Sequence, residues 1–134
     1  MKHAAILLLL SVLLQPACRK RTESPTLTSI ITQKSWKVSR ATAGGTDFTM
    51  VYGGLDFSFR ADSTLTVSDG TNNYPGTWAE DGNARKVTIE IVSSLFELGL
   101  ISRDWDIHLI TPREIQLRDD RFNPTQELWL RDWQ

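Results

Sequence analysis

From Trp36 onward, apolar side chains return at every second position, run after run, with turn-forming residues between the runs. Trp36 and Val38 alternate with Lys37 and Ser39. Leu55, Phe57 and Phe59 alternate with Asp56, Ser58 and Arg60, and Leu65 and Val67 with threonine and serine. Val87, Ile89 and Ile91 share one parity, as do Trp105, Ile107 and Leu109, then Ile115 and Leu117, then Leu128 and Leu130. A period of two places one apolar and one polar face on each segment, the pattern of half-buried antiparallel strands. Ala61-Asp62-Ser63, Asp69 to Asn73, Glu80 to Asn83 and Thr111-Pro112 supply the turn chemistry. Joints this short favour neighbours in sequence pairing in space, an up-and-down meander. With Phe48 to Tyr52 and Tyr74 to Ala79 added, the count is about eight or nine strands, enough to close a small barrel and remove exposed edges.

Two segments depart from the alternation. Ser24-Pro25 reads as a helix start, Ser as N-cap and Pro at the first helical position, with Leu27, Ile30, Ile31 and Lys34 at helical spacing. Ser93 to Ser102 is too apolar for an ordinary loop, and a single helical turn over one barrel end fits it better. The expected fold class is therefore all-β: a small antiparallel up-and-down barrel over residues 25–134 with a short N-terminal helix.

The first eighteen residues follow a different logic. Met1-Lys2-His3 is basic, Ala4 to Leu14 is nearly all apolar, and Gln15-Pro16-Ala17 leads into Cys18, the one cysteine of the chain. The apolar run is shorter than the roughly 20 residues a spanning helix needs, and its order is that of a secretory signal. A lone cysteine behind a small residue makes this segment resemble a bacterial lipoprotein signal, although Leu14 sits one place earlier than in the usual pattern. That resemblance implies cleavage after residue 17, a diacylglycerol on Cys18, and residues 18–24 as a tether. It also implies a membrane partner through the anchor. Arg19-Lys20-Arg21 is basic, unlike the acidic run that directs some lipoproteins to the cell surface. The expected location is thus the cell envelope, at the outer membrane and facing the periplasm.

The barrel segment carries its own resemblance. Lys34-Ser35-Trp36-Lys37-Val38, the stretch Leu55 to Thr64, Tyr74-Pro75-Gly76-Thr77-Trp78 and the closing Leu128-Trp129-Leu130 are similar to the lipocalin-like lipoproteins of bacteria. Lys34 stands where lipocalins carry the glycine of a first-strand Gly-x-Trp. What this family implies is binding or scaffolding at the envelope.

Composition narrows the function further. Fifteen Lys and Arg against sixteen Asp and Glu leave a net charge of −1, which gives no electrostatic footprint for nucleic acid. A single cysteine excludes an internal disulfide. Asp104, Asp106 and His108 lie on one strand face, but the outer two stand roughly 13 Å apart. One zinc with bonds near ~2 Å cannot gather all three from a straight strand. Asp69 to Asn73, and Asp119-Asp120 with Asn123, lack calcium-loop spacing and read as turns. Gly44-Gly45 lacks the Lys-Ser/Thr of a phosphate loop. The segment has one histidine, His108, and nothing sets a serine beside it. No metal, no cofactor and no enzymatic activity are expected.

Five tryptophans in so short a chain suit a core, a pocket wall or an interface equally well. Two functions follow from that choice. In the first, Trp36, Phe57, Phe59, Trp78, Ile89, Trp105 and Ile107 line an interior pocket for a small apolar or amphiphilic ligand, with Leu95-Phe96 over the mouth. In the second, the core is filled and the protein is an interaction or inhibitor module for an envelope protein partner. Trp129 and Trp133 have the outward parity, under the Leu27/Ile30/Ile31 helix or uncovered as a docking patch.

Overall fold

The computed structural model describes residues 25–133. In order, the elements are α1 (Leu27–Ile31), β1 (Ser35–Ala43), β2 (Thr46–Asp47), a 3₁₀ turn (Thr49–Tyr52), β3 (Asp56–Phe59), β4 (Thr64–Ser68) and β5 (Asn73–Asp81). β6 (Lys86–Ile91), α2 (Phe96–Ile101), β7 (Asp104–Ile110), β8 (Glu114–Asp119) and β9 (Gln126–Asp132) complete the chain. Apart from the two-residue β2, every strand pairs antiparallel with its neighbour in sequence. β9 returns to β1, from Trp36 opposite Asp132 to Thr42 opposite Glu127, and closes the sheet. The result is an eight-stranded barrel with β2 as an extra hairpin arm on β1.

Local sequence explains both ends. At one end, Thr26 rather than Ser24 is the N-cap of α1: its hydroxyl accepts the Ser29 amide. The helix stops at Ile31, so Lys34 lies beyond it and pairs instead with Asp132, 2.9 Å away. The free amides of Leu27 and Thr28 donate to the Glu80 carboxylate of β5 at 3.1 and 2.9 Å. That carboxylate sits where a helix N-terminus favours negative charge. Leu27, Ile30 and Ile31 are buried and plug the barrel bottom. At the other end, the expected strand Phe48 to Tyr52 is the 3₁₀ turn. Asp47 accepts the amide and hydroxyl of Thr49 and turns the chain there. Ser93 to Ser102 contains α2, the helical cover that its apolar content suggests.

Two bulges reset the alternation. In β1, Ser39 and Arg40 are both exposed, and Ala41 rather than Arg40 returns to the interior. In β7 the pairing shifts between Ile107 and Leu109. Leu109, expected on the inner face with Trp105 and Ile107, is instead opposite Gln116 and more than a third exposed. A bulge adds one residue to one strand and inverts the parity beyond it.

The described core runs from Leu27 to Leu130 as one cluster, the mark of a single folding domain. Its tightest point is Gly76, where β5 meets β6. A Cβ added there would stand 2.4 Å from the Glu90 carbonyl oxygen and 3.2 Å from the Ile91 Cα. Gly76→Ala should therefore destabilise residues 25–134 by about 1–3 kcal/mol through forced backbone separation, measured by urea unfolding.

Asp119 gives a pH signature. Its carboxyl is held below the usual range, first by the Arg121 side chain, whose Nε and Nη2 each donate at 2.8 Å. A depressed acid contributes stability that is complete above its unfolded value, about 4, and is lost as pH falls through its folded value. Acid titration of the melting temperature should show this loss, and Asp119→Asn should flatten the slope below about pH 4.

Candidate functional site

The three interior tryptophans do more than fill space. Trp36 Nε1 donates to the Ile31 carbonyl at 2.9 Å and fixes α1 on β1. Trp78 Nε1 donates to the Arg60 carbonyl at 2.9 Å and fixes the β3–β4 turn. Trp105 Nε1 donates to the Ile101 carbonyl at 3.0 Å and fixes α2. Each tryptophan's one donor is therefore spent on a backbone carbonyl that closes a barrel end.

All seven residues expected in the interior are buried: Trp36, Phe57, Phe59, Trp78, Ile89, Trp105 and Ile107. Phe59 meets Trp78 edge-on, ring centres 5.7 Å apart, an arrangement aromatic pairs favour. Val38, Leu65, Val67, Val87, Ile115, Leu117, Leu128 and Leu130 fill the same core. A cleft of about 10 Å³ lies between α2, the 3₁₀ turn and the end of β1, bounded by Ala41, Thr42, Ala43, Phe48, Tyr52, Leu100, Ile101, Trp105 and Glu127. That is about the room one water needs, against the roughly 300 Å³ or more of a small-molecule pocket.

At the α2 end the inner face carries polar groups that the alternation implies but turn reasoning passes over. Asp119 follows Leu117 by two, and Gln126 precedes Leu128 by two; they pair in register and both are buried. Reading Asp119 only as a turn residue hid its inward parity. Arg103 spans them: its Nη1 donates to Gln126 Oε1 and lies 3.7 Å from Asp119 Oδ2. Its guanidinium also stands over Trp105 and Phe122, at 5.8 and 5.2 Å from the ring centres. The mouth is thus held by an arginine sandwich as well as by α2. Tyr52, beneath α2, donates its hydroxyl to the Glu97 carbonyl at 2.6 Å, and burial pushes its phenol up to about 12.

The outer face of β9 holds the other two tryptophans. α1 does not cover them, because it sits in the barrel end. Trp129 lies under the Arg40 guanidinium, 5.3 Å from the ring centre, while Trp133 is 75% exposed. An open groove of about 560 Å³ runs past Trp133, between Lys37, Val38, Ser39, Gly53 and Arg131. On β7, Asp104 accepts from the Thr88 hydroxyl and Asp106 from Lys86, while His108 is exposed at the bulge. Among the described residues, no three His, Cys, Asp or Glu side chains converge on a metal site. Cys18 lies outside the described residues, as do the signal and the tether. No helix among the described residues is long and apolar enough to cross a membrane.

No protein-family model matches the sequence, and no curated protein does. Solved structures do match. A DUF4847 family protein from Bacteroides vulgatus superposes with a TM-score of 0.57 at 16% identity, over 79% of this chain and 96% of that one. A lipocalin-like protein from Bacteroides uniformis gives 0.53 at 12% identity, over 76% and 98%. An uncharacterised protein from Bacteroides eggerthii gives 0.52 at 11%, over 74% and 98%. Identities this low carry the fold alone, and by fold the chain is a lipocalin-like antiparallel barrel.

Proposed function

We infer that this chain is a lipid-anchored envelope protein whose barrel is a non-enzymatic interaction module, its core filled and its work done at the surface against a protein partner. The observation that carries this reading is the packing of the interior: the donors of Trp36, Trp78 and Trp105 are committed to backbone carbonyls, and the apolar side chains around them form one buried cluster. A ligand among these side chains would have to displace packed apolar groups and break those bonds, and a closed eight-stranded barrel can be filled by side chains alone. The anchor rests on the residues around Cys18 and on the basic run Arg19 to Arg21, each worth about 1 kcal/mol against anionic headgroups.

A second reading, carriage of a small apolar ligand inside the barrel, is favoured by the likeness in fold to the lipocalin-like protein. It requires α2 to swing away and the interior to repack.

Native mass spectrometry of residues 25–134 made in a bacterial periplasm separates the two. The filled-core module should fly at its bare polypeptide mass, with organic extracts empty. A discrete added mass, lost on denaturation and weakened by Trp105→Ala, would replace it with the carrier. The anchor has its own check. The full chain should take up labelled fatty acid and partition with membranes, and Cys18→Ala should lose both properties.

A further inference from the structure

The α2 end of the barrel carries several exposed apolar side chains. Met50 is 93% exposed, Val92 77% and Phe96 69%, and Val51 is also exposed. All four lie at this end of the barrel. The 3₁₀ turn carrying Met50 and Val51 is tied to α2 by the Tyr52 hydroxyl on the Glu97 carbonyl, and by the Phe48 and Phe96 rings, centres 6.4 Å apart. The Val92 amide binds the Pro75 carbonyl beside them. Solvated apolar side chains grouped on a rim mark a contact surface.

Charge says what would cover it. Asp47 begins the 3₁₀ turn, Glu97 lies on α2 next to Phe96, and Asp69 accepts from the Tyr74 hydroxyl, one residue from Pro75. Among the described residues, none of these three carboxylates is in an ion pair. Nine of the described Lys and Arg side chains are already paired, and Arg60 and Arg85, which are not, lie in turns at the α1 end. Asp69 remains ionised at any physiological pH, its value lowered to about 2 chiefly by the Asn72 amide. Arg40 stands near Asp47, whereas Asp69 and Glu97 are left without an ion pair at this rim, so the fringe favours a partner that brings positive charge. An anionic lipid surface would be repelled. The described chain also enters through Pro25 to Leu27 at the opposite end, so an anchor upstream would attach on the side away from this surface.

We propose that Met50, Val51, Val92 and Phe96, fringed by Asp47, Asp69 and Glu97, form the docking surface for a partner protein segment that carries apolar residues flanked by Lys or Arg. This deepens the interaction-module reading and rests on it. Apolar contact supplies the area and the carboxylates select the sign of the partner and speed encounter.

The test uses three synthetic helical peptides of equal length, built from Leu and Lys, Leu and Glu, or Ser and Lys, titrated into ¹⁵N-labelled residues 25–134. The Leu/Lys peptide should shift the amides of residues 48–52 and 92–101 and bind at least about tenfold more tightly than either control, a difference of about 1.4 kcal/mol. Val92→Ser, at a 77% exposed side chain, and Glu97→Lys should each weaken it at least about threefold, with the amide spectrum away from the site unchanged. Equal binding of all three peptides, or shifts mapping elsewhere, overturns the proposal. Stronger binding to phosphatidylglycerol vesicles than to the Leu/Lys peptide overturns it in favour of a membrane. A bare mass in the native spectrum together with indifferent peptides would remove this surface and leave the interaction module standing. A bound ligand in that spectrum would remove the module itself.

Discussion

Three indole N–H groups hold the ends of this barrel. A closed sheet satisfies its own ladder, but what covers its ends has no strand to pair with. Here Trp36, Trp78 and Trp105 each reach from the inner face to one carbonyl, on α1, on the β3–β4 turn and on α2. A buried donor without a partner would cost about 1–3 kcal/mol, so each ring specifies both a packing site and the position of the backbone beyond it. Glu80 completes the arrangement by capping α1 from a strand that lies far away in sequence.

Closure depends on irregularities as much as on alternation. The bulge at Ser39-Arg40 lets β1 present Trp36 and Val38 and then Ala41 to the same interior. The bulge in β7 turns Leu109 outward opposite Gln116. At Gly76, β5 and β6 come so close that no side chain fits between them. The glycine of Gly76-Thr77-Trp78 is thus a spacing requirement, and Trp78 is buried two residues on because the backbone there can approach.

The two barrel ends differ in chemistry. At the α1 end, Lys34 and Arg113 share Asp132, and Arg131 meets Glu114. At the α2 end, Arg103 and Arg121 serve Asp119, while Asp47 and Asp69 are exposed and Glu97 is half-buried on α2 beside the exposed Phe96. The interior of the barrel is a single apolar cluster, and the uneven chemistry lies on its rim.

By itself, the sequence determined the strands, their order and most of the core, because a period of two marks the buried face wherever pairing stays regular. It marked the apolar Ser93 to Ser102 segment as a cover, since such a run has to be buried somewhere. It could not place the bulges, because an extra residue changes parity without changing composition. For the same reason Leu109 reads as inner, and Asp119, an aspartate next to turn residues, reads as outer. Phe48 to Tyr52 is apolar enough for a strand, and only the Asp47–Thr49 bond and the neighbouring α2 make it a 3₁₀ turn. Only the tertiary structure bears on whether the barrel is hollow. Cavity volume depends on how side chains from eight strands interdigitate, and no local pattern encodes that sum.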